Sequence, residues 1–289
     1  MNPTRRNLCA GGAALLHTPW LLAQAPAEPL ITIGLAPFLT TAAMLSAFRP
    51  LREHLARQLQ HKVELYTAKD FVDLLNQTRA GAHDLSYLPS HLAGLAINEW
   101  GFHAIAGTLS RTPVLLLVRS QGDLRSPADL RGRKIGSLGQ LSLSAAVGSL
   151  WLQQNQLRPG RDVQLVPQTS INSAMISLER GDVDAVFAAR SQIDLLPADN
   201  SRGHGTMAEV GSIEAPIFVA QPRLAADRVA RLREAMLSFV PDPTRPGAAG
   251  NTQLYRIDAA ILKRLALLRE IALEQLREAG LSGSSASPR

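Results

Sequence analysis

Short apolar runs alternate with stretches of helical spacing along the first third of the chain. Three runs of β-branched and other apolar residues predict strands: Leu30–Leu35, Val63–Tyr66 and Leu85–Leu88. Between and after them, apolar positions spaced by three and four residues predict helices over 46–60, 71–79 and about 89–100. The order β-α-β-α-β-α predicts a largely parallel sheet with helices on its faces.

The remainder of the chain repeats this alternation between two long apolar runs. Thr112–Val118 and Ile213–Ala220 are continuous enough to be buried strands. The segment between them predicts three more strands and two more helices: strands 134–137, 162–166 and 183–187, and helices 145–154 and about 174–180. Helices also follow at about 224–239 and 257–279.

Two apolar crossovers between two α/β regions are typical of a hinged clamshell. We therefore predict an α/β fold of two lobes, each a mostly parallel sheet flanked by helices, with the two crossover strands as the hinge. The first lobe would be discontinuous, over 28–113 and 217–289, and the second would span 114–216. In such sheets, ligands bind beyond the carboxyl ends of the strands.

Composition narrows the classes of partner. The 289 residues carry a formal net charge of +6, with lysines and arginines spread along the chain, which does not fit a nucleic-acid surface. Aromatic residues make up only 4% of the chain, too few for a base-stacking platform. The single cysteine, Cys9, excludes a disulfide framework and a CxxC metal site. We expect no cofactor and no metal.

The N-terminus has the pattern of an export signal. Arg5 and Arg6 precede an apolar stretch, and small residues follow with A-x-A patterns that end at Ala25 and Ala27. We predict a signal peptide over 1–27, cleaved near Ala25 or Ala27, and a periplasmic mature protein. The two arginines fit a twin-arginine signal and an ordinary basic region equally well. No other segment is apolar and long enough to insert stably in a membrane.

The candidate anion site lies in Gly132–Gly148, which reads as strand, hydroxyl-rich loop and helix. Backbone N–H groups at a helix start point towards an anion, and Ser142 and Ser144 would add hydroxyl donors. The alternative is that one of these serines only caps the helix. A second hydroxyl and amide loop, Gln168–Asn172, opens the next helix, so two helix N-termini would face one anion.

Strand ends of the first lobe supply further candidates for the cleft. These are an aromatic pair, two hydroxyls and a histidine: Phe38, Thr40, Tyr87, Ser90 and His91. Each also has a structural interpretation. Phe38 would pack against its loop, Thr40 would cap a helix, Tyr87 would belong to the core, and His91 would be a structural hydrogen-bond donor.

Four segments together resemble the periplasmic substrate-binding proteins of phosphate, phosphite and phosphonate ABC importers. Residues 33–38 are similar to the family's opening strand and proline–aromatic turn, and residues 84–89 to its "D-x-x-x-x-G-P" strand end, with Leu88 in place of glycine. Residues 129–135 match its "D-L-x-G-K-x-V" lead-in, and residues 181–186 its "G-x-V-D-A-A" strand. The resemblance covers about 31–239.

This resemblance implies a set of ligand-binding positions. The family's "S-T-S-G" oxyanion loop corresponds to Ser142, Leu143, Ser144 and Ala145, so leucine replaces a hydroxyl donor and alanine replaces glycine. Its "G-S-H-D" loop corresponds to 169–172, which places Thr169, Ser170 and Asn172 at the ligand. Arg190 lies about where some members carry an acid that contacts a ligand amine. If Arg190 faces the cleft, it would repel an amine and attract a second anionic group.

The expected function is capture of a small anion and its delivery to an inner-membrane ABC permease. The ligand would be a phosphonate, phosphite, phosphate or carboxylate. The alternatives are a sensor of the same fold that signals to a receptor kinase, and an enzyme in which His91 would activate Ser142. The chain lacks G-x-S-x-G, H-E-x-x-H and G-x-x-x-x-G-K-[ST] motifs, so we expect no enzymatic activity.

Overall fold

A computed structural model describes residues 30–108, 110–196, 203–242, 244 and 250–281. The predicted signal peptide and the tail after residue 281 lie outside these ranges. The strands are β1 (Leu30–Leu35), β2 (Lys62–Thr67), β3 (Leu85–Leu88), β4 (His103–Gly107), β5 (Arg111–Arg119), β6 (Lys134–Leu138), β7 (Gln164–Gln168), β8 (Ala185–Ala189), β9 (His204–Glu214), β10 (Ile217–Ala220) and β11 (Tyr255–Arg256). The helices are α1 (Thr41–Leu59), α2 (Phe71–Arg79), α3 (Ser90–Trp100), α4 (Leu143–Gln154), α5 (Ile171–Arg180), α6 (Arg190–Ile193), α7 (Ala226–Leu237) and α8 (Ala259–Glu278), with a 3₁₀ turn at Pro127–Leu130.

Two sheets divide the described residues into two lobes. The first lobe contains a sheet of order β11-β4-β10-β3-β1-β2 with helices α1, α2, α3, α7 and α8, and the second contains a sheet of order β7-β6-β8-β5-β9 with α4, α5 and α6. Among the strands that the structure describes, β1 pairs in parallel with β2 and β3, and β6 with β7 and β8. Both sheets are therefore mixed rather than mostly parallel. The strands next to the connections between the lobes, which are β4, β5, β9 and β10, run antiparallel to their neighbours.

Of the two predicted crossovers, Ile213–Ala220 contains a connection between the lobes, whereas Thr112–Val118 does not. β5 lies inside the second sheet, paired with β8 and β9, because its apolar residues are buried on both faces. The connections are instead short: residues 108–110 join β4 to β5, and Ala215–Pro216 join β9 to β10. The Ala215 N–H donates to the Ser110 carbonyl at 3.1 Å, which holds the two connections side by side.

Apolar contacts continue from one lobe to the other. Leu138 and Leu141 of the second lobe are 1% exposed and belong to the same apolar cluster as Leu92 and Leu265 of the first. Burial of these side chains stabilises the contact between the lobes. None of the helices within the described ranges is both long and apolar enough to cross a bilayer.

The C-terminal helix is packed closely on α3. A Cβ atom added at Gly94 of α3 would lie 2.1 Å from the Leu265 carbonyl oxygen of α8, so only glycine fits at this position. The approach fixes α8 against α3 and brings the last turns of α8 next to the second lobe, where Gln275 Nε2 donates to the Ser142 carbonyl at 3.0 Å.

Candidate functional site

A cavity of about 570 Å³ lies between the two lobes. Volumes of 300 to 1,000 Å³ are typical of sites for small ligands. Residues from both lobes and from the connecting segments line it. Its polar lining consists mainly of hydroxyl groups: Tyr87, Ser90, Thr108, Ser110, Thr112, Ser142, Ser144, Ser191, Thr252 and Tyr255.

The N-terminus of α4 forms one wall of this cavity. Ser142 is the N-cap: its Oγ accepts a hydrogen bond from the Ala145 N–H at 3.3 Å and lies 3.0 Å from Ser144 Oγ. The N–H groups of Leu143 and Ser144 have no hydrogen-bond acceptor among the described residues. Unsatisfied N–H groups carry the positive end of the helix dipole, so this wall attracts an anion.

Aromatic side chains form a second part of the lining. The Phe38 ring lies 5.6 Å from the Phe71 ring and 6.3 Å from the Tyr87 ring, both in edge-to-face geometry. Burial raises the pKa of the Tyr87 phenol, so it stays protonated at neutral pH and can donate a hydrogen bond. This wall offers an apolar surface with one polar atom.

Polar groups near the connections between the lobes form a third wall. Ser90 Oγ donates to the backbone carbonyl of Glu214 at 3.2 Å, a hydrogen bond between α3 and the end of β9. Thr112 Oγ1 accepts from the Ser191 N–H at 3.1 Å, and Gln192 Oε1 accepts from the Ala189 N–H at 3.1 Å. These bonds hold the hydroxyls in place next to the cavity.

Glu214 is the one charged side chain among the described residues that line the cavity. Its carboxylate Oε1 lies 3.5 Å from Arg111 Nε and 3.2 Å from Arg264 Nε, and the carboxylate side chain is only 15% exposed. Two guanidinium groups beside one carboxylate give this cluster a formal charge of +1. An anion in the cavity therefore does not face an uncompensated negative charge.

Six of the residues proposed from the sequence line this cavity: Phe38, Tyr87, Ser90, Ser142, Leu143 and Ser144. Seven do not line it: Thr40, His91, Ala145, Thr169, Ser170, Asn172 and Arg190.

The predicted second helix terminus is occupied by protein. Ser170 caps α5, with its Oγ accepting from the Ser173 N–H at 3.2 Å, and the Ile171 N–H donates to the Phe38 carbonyl of the first lobe at 3.1 Å. Thr169 is exposed and lies 3.3 Å from Ser173 Oγ. The first N–H group of α5 is thus bonded to a backbone carbonyl of the first lobe, and this helix start does not line the cavity.

Four other candidates that do not line the cavity lie elsewhere in the fold. Thr40 caps α1 by accepting from the Ala43 N–H at 3.4 Å. His91 is fully buried, and its Nε2 lies 3.0 Å from the Leu141 carbonyl oxygen rather than at Ser142 Oγ. Ala145 lies on a separate groove beside α8, and the Arg190 side chain is exposed at the start of α6.

Several lining residues were not identified from the sequence. They come from the connections, from α6 and from the segment before α8: Thr108, Ser110, Thr112, Ser191, Gln192, Glu214, Thr252, Gln253 and Tyr255. The sequence feature that could have indicated some of them is the set of hydroxyl residues next to the apolar run Thr112–Val118. Within the described ranges, no group of three or more histidine, cysteine, aspartate or glutamate residues is placed to hold a metal ion.

The sequence of residues 33–265 matches the family described as "ABC transporter, phosphonate, periplasmic substrate-binding protein". The chain belongs to this family. The family and the two-lobed α/β fold expected from the sequence are confirmed, with sheets that are mixed rather than mostly parallel. No curated protein matches the chain.

Solved structures with the same fold include binding proteins for oxyanions. A binding protein component of an ABC phosphonate transporter from Pseudomonas aeruginosa aligns with a TM-score of 0.73 at 14% identity, over 90% of this chain and 91% of that one. PhnD1 from Prochlorococcus marinus, in complex with methylphosphonate, aligns with a TM-score of 0.70 at 14% identity, over 87% and 98%. The aliphatic sulphonate binding protein SsuA from Escherichia coli aligns with a TM-score of 0.55 at 14% identity, over 88% and 89%.

Proposed function

We propose that this member of the phosphonate-binding family captures an oxyanion between its lobes and delivers it to an inner-membrane ABC permease. The observation that carries the proposal is the start of α4, where the N–H groups of Leu143 and Ser144 lack protein acceptors beside the cavity. The hydroxyls of Ser142 and Ser144 stand next to them, 3.0 Å apart. A tetrahedral or planar oxyanion accepts hydrogen bonds from such a set of donors.

The shape of the cavity favours a phosphonate with an apolar substituent. Phosphate and phosphite fill only a small part of about 570 Å³. The wall of Phe38, Phe71 and Tyr87 offers apolar area on which an aryl or alkyl group is buried, at roughly 25 cal/mol per Å². We therefore propose an alkyl- or arylphosphonate, with its charged head at α4 and its substituent against the rings.

Binding without catalysis is the role that we assign to the site. An acyl-transfer mechanism requires a base within hydrogen-bond reach of the Ser142 hydroxyl. The nearest candidate expected from the sequence, His91, uses Nε2 for the Leu141 carbonyl. Burial lowers the pKa of His91 to about 4, opposed only in part by the Leu141 carbonyl and by the Gln275 side chain, so the imidazole is neutral at pH 7.

We also propose the location and lobe boundaries that the family role requires. The mature protein would be periplasmic after removal of residues 1–27, with cleavage near Ala25 or Ala27. The sequence places the lobe boundaries near residues 113 and 216; because β5 begins at Arg111 and belongs to the second sheet, we propose the first boundary at about 108–110 and keep the second at about 216. Mass spectrometry of the N-terminus of the exported protein tests the cleavage site, and an N-terminus other than Gln24 to Glu28 would contradict it.

A ligand panel tests the oxyanion assignment. Thermal stability and calorimetric affinity are measured with phenylphosphonate, methylphosphonate, phosphate, phosphite and benzoate. A ligand at 100 times its dissociation constant adds roughly 2.7 kcal/mol of stability. We expect the largest shift with phenylphosphonate, and its loss in the double variant Ser142→Ala/Ser144→Ala. A shift with benzoate alone would replace phosphonate by a carboxylate as the ligand.

Ser170→Ala is the matched control. Ser170 caps α5 as Ser142 caps α4, but it does not line the cavity. Both changes lose a helix cap, at a cost of about 1 kcal/mol. If the Ser142→Ala/Ser144→Ala protein keeps its phosphonate affinity, or if Ser170→Ala loses it equally, the start of α4 is not the anion site.

A further inference from the structure

Two side chains of the first lobe are bonded to the loop that precedes α4. His91 Nε2 of α3 lies 3.0 Å from the Leu141 carbonyl oxygen, and Gln275 Nε2 of α8 donates to the Ser142 carbonyl at 3.0 Å. Neither His91 nor Gln275 lines the cavity. Both act on the loop that leads into Leu143 and Ser144, two residues that line the cavity and whose N–H groups have no acceptor among the described residues.

The loop needs contacts from outside to keep its conformation. Leu141 has φ of +64°, in the left-handed region that disfavours residues with a Cβ atom. Its side chain is 1% exposed and packs in the cluster that contains Leu92 and Leu265 of the first lobe. The backbone conformation of Leu141 is thus held by a hydrogen bond and by apolar packing, both supplied by the other lobe.

The two donors form a rigid unit. Helices α3 and α8 approach so closely at Gly94 that a methyl group there would meet the Leu265 carbonyl. His91 is fully buried, and the neutral form that burial favours donates through Nε2–H to the Leu141 carbonyl. Because the helices are fixed to each other, separation of the lobes must break both bonds together.

We propose that His91 and Gln275 are positioning residues that hold the loop before α4 in its anion-binding geometry while the lobes are in contact. This inference rests on the proposed oxyanion site and extends it. The pair slows release of the ligand without contacting it. The hydrogen bonds to the Leu141 and Ser142 carbonyls must break before the cavity opens. Loss of either donor should therefore raise the rate of ligand dissociation more than it lowers the rate of association.

Stopped-flow tryptophan fluorescence, with phenylphosphonate as the ligand, measures both rates. We expect His91→Leu and Gln275→Leu each to raise the dissociation rate about two- to tenfold, the range for a single hydrogen bond. His91→Gln keeps an amide donor, so its dissociation rate should stay closer to that of the parent protein than the rate of His91→Leu does. Gln221→Leu is the matched control, because the Gln221 amide donates only to carbonyls of the first lobe, at Gly81 and His83.

A ligand-independent measurement separates this inference from the function on which it rests. In the full chain with Cys9→Ser, cysteines replace Leu150 of α4 and Leu267 of α8, which are 56% and 68% exposed, and carry spin labels. In this labelled protein, His91→Leu and Gln275→Leu should each shift the distance between the labels to longer values, and Gln221→Leu should not. If longer distances appear but phenylphosphonate does not bind the parent protein, the positioning pair stands and the ligand assignment fails.

The opposite result overturns the inference. Dissociation rates within twofold of the parent in both His91→Leu and Gln275→Leu, together with unchanged label distances, would show that the two bonds do not hold the loop. Gln275 is only half-buried, so we expect Gln275→Leu to fold. If His91→Leu does not fold, Gln275→Leu alone decides the test.

Discussion

Lowering the pH from 8 to 4 should destabilise the protein through His91. Its imidazole is fully buried, and burial lowers its pKa from the ordinary value of 6.5 to about 4. The unfolded chain therefore takes up a proton near pH 6.5, whereas the folded protein does so only near pH 4. Between these values the unfolded state binds more protons, so the free energy of unfolding falls as the pH falls.

The magnitude follows from the two pKa values. Each pH unit between 6.5 and about 4 corresponds to ~1.4 kcal/mol, so the loss approaches about 3 kcal/mol at pH 4. Stability from this group is complete above pH 6.5. A loss of about 3 kcal/mol is a large fraction of the 5 to 15 kcal/mol that stabilises typical domains.

Urea unfolding at half-unit steps of pH, followed by tryptophan fluorescence, measures this effect. His91→Gln is the reference, because glutamine keeps a donor for the Leu141 carbonyl but does not titrate. Burial also lowers the pKa of His83, so His83 changes the free energy of unfolding with pH in the same direction. Because His83 is present in both proteins, its effect cancels in the comparison. Asp129 and Asp162 have lowered pKa values and lose their contribution only below their ordinary value of 3.8. Parallel profiles for parent and His91→Gln between pH 7 and 4 would refute the burial argument.

Three further predictions concern packing and the ligand. Gly148→Ala places a Cβ atom 2.6 Å from the buried Phe187 ring and should cost about 1 to 3 kcal/mol in urea unfolding, whereas Gly139→Ala, with open space around it, should cost little. Glu214→Gln removes the carboxylate from the cavity wall but leaves its two arginines, so calorimetric affinity for phenylphosphonate should rise several-fold, and the gain should shrink in high salt. Arg190→Ala should leave that affinity within twofold, and a tenfold loss would show that Arg190 reaches the ligand.

Local pattern was sufficient where a strand is apolar along its own length. β1 and β3 have the bounds predicted from their β-branched and apolar runs. β9 was missed, because its sequence, HGTMAEVGSIE, contains glycines and charged residues without regular alternation. It is a strand because β5 pairs with it from Arg111 to Arg119, and this tertiary pairing outweighs the low β-propensity of its residues.

The candidate site divides in the same way. Ser142 and Ser144 were identified because a hydroxyl-rich loop between a strand and a helix has a local signature. Glu214 has no such signature: its place in the cavity depends on β9 ending beside Ser90 and on Arg264 of α8 reaching across. Arg190 is a candidate only through the family resemblance, which leaves open whether it faces the cleft; α6 begins at this residue, and its side chain is exposed.

The bond between Ala215 and Ser110 has a consequence for how the lobes can move. Because the two connections are short and bonded side by side, a rotation of one lobe must bend both at the same place and about a common axis. Twisting about other axes would break this bond or strain Pro216, whose φ is fixed by its ring. We therefore expect the lobes to open mainly about one axis, and a pair of labels across the cavity would follow that opening.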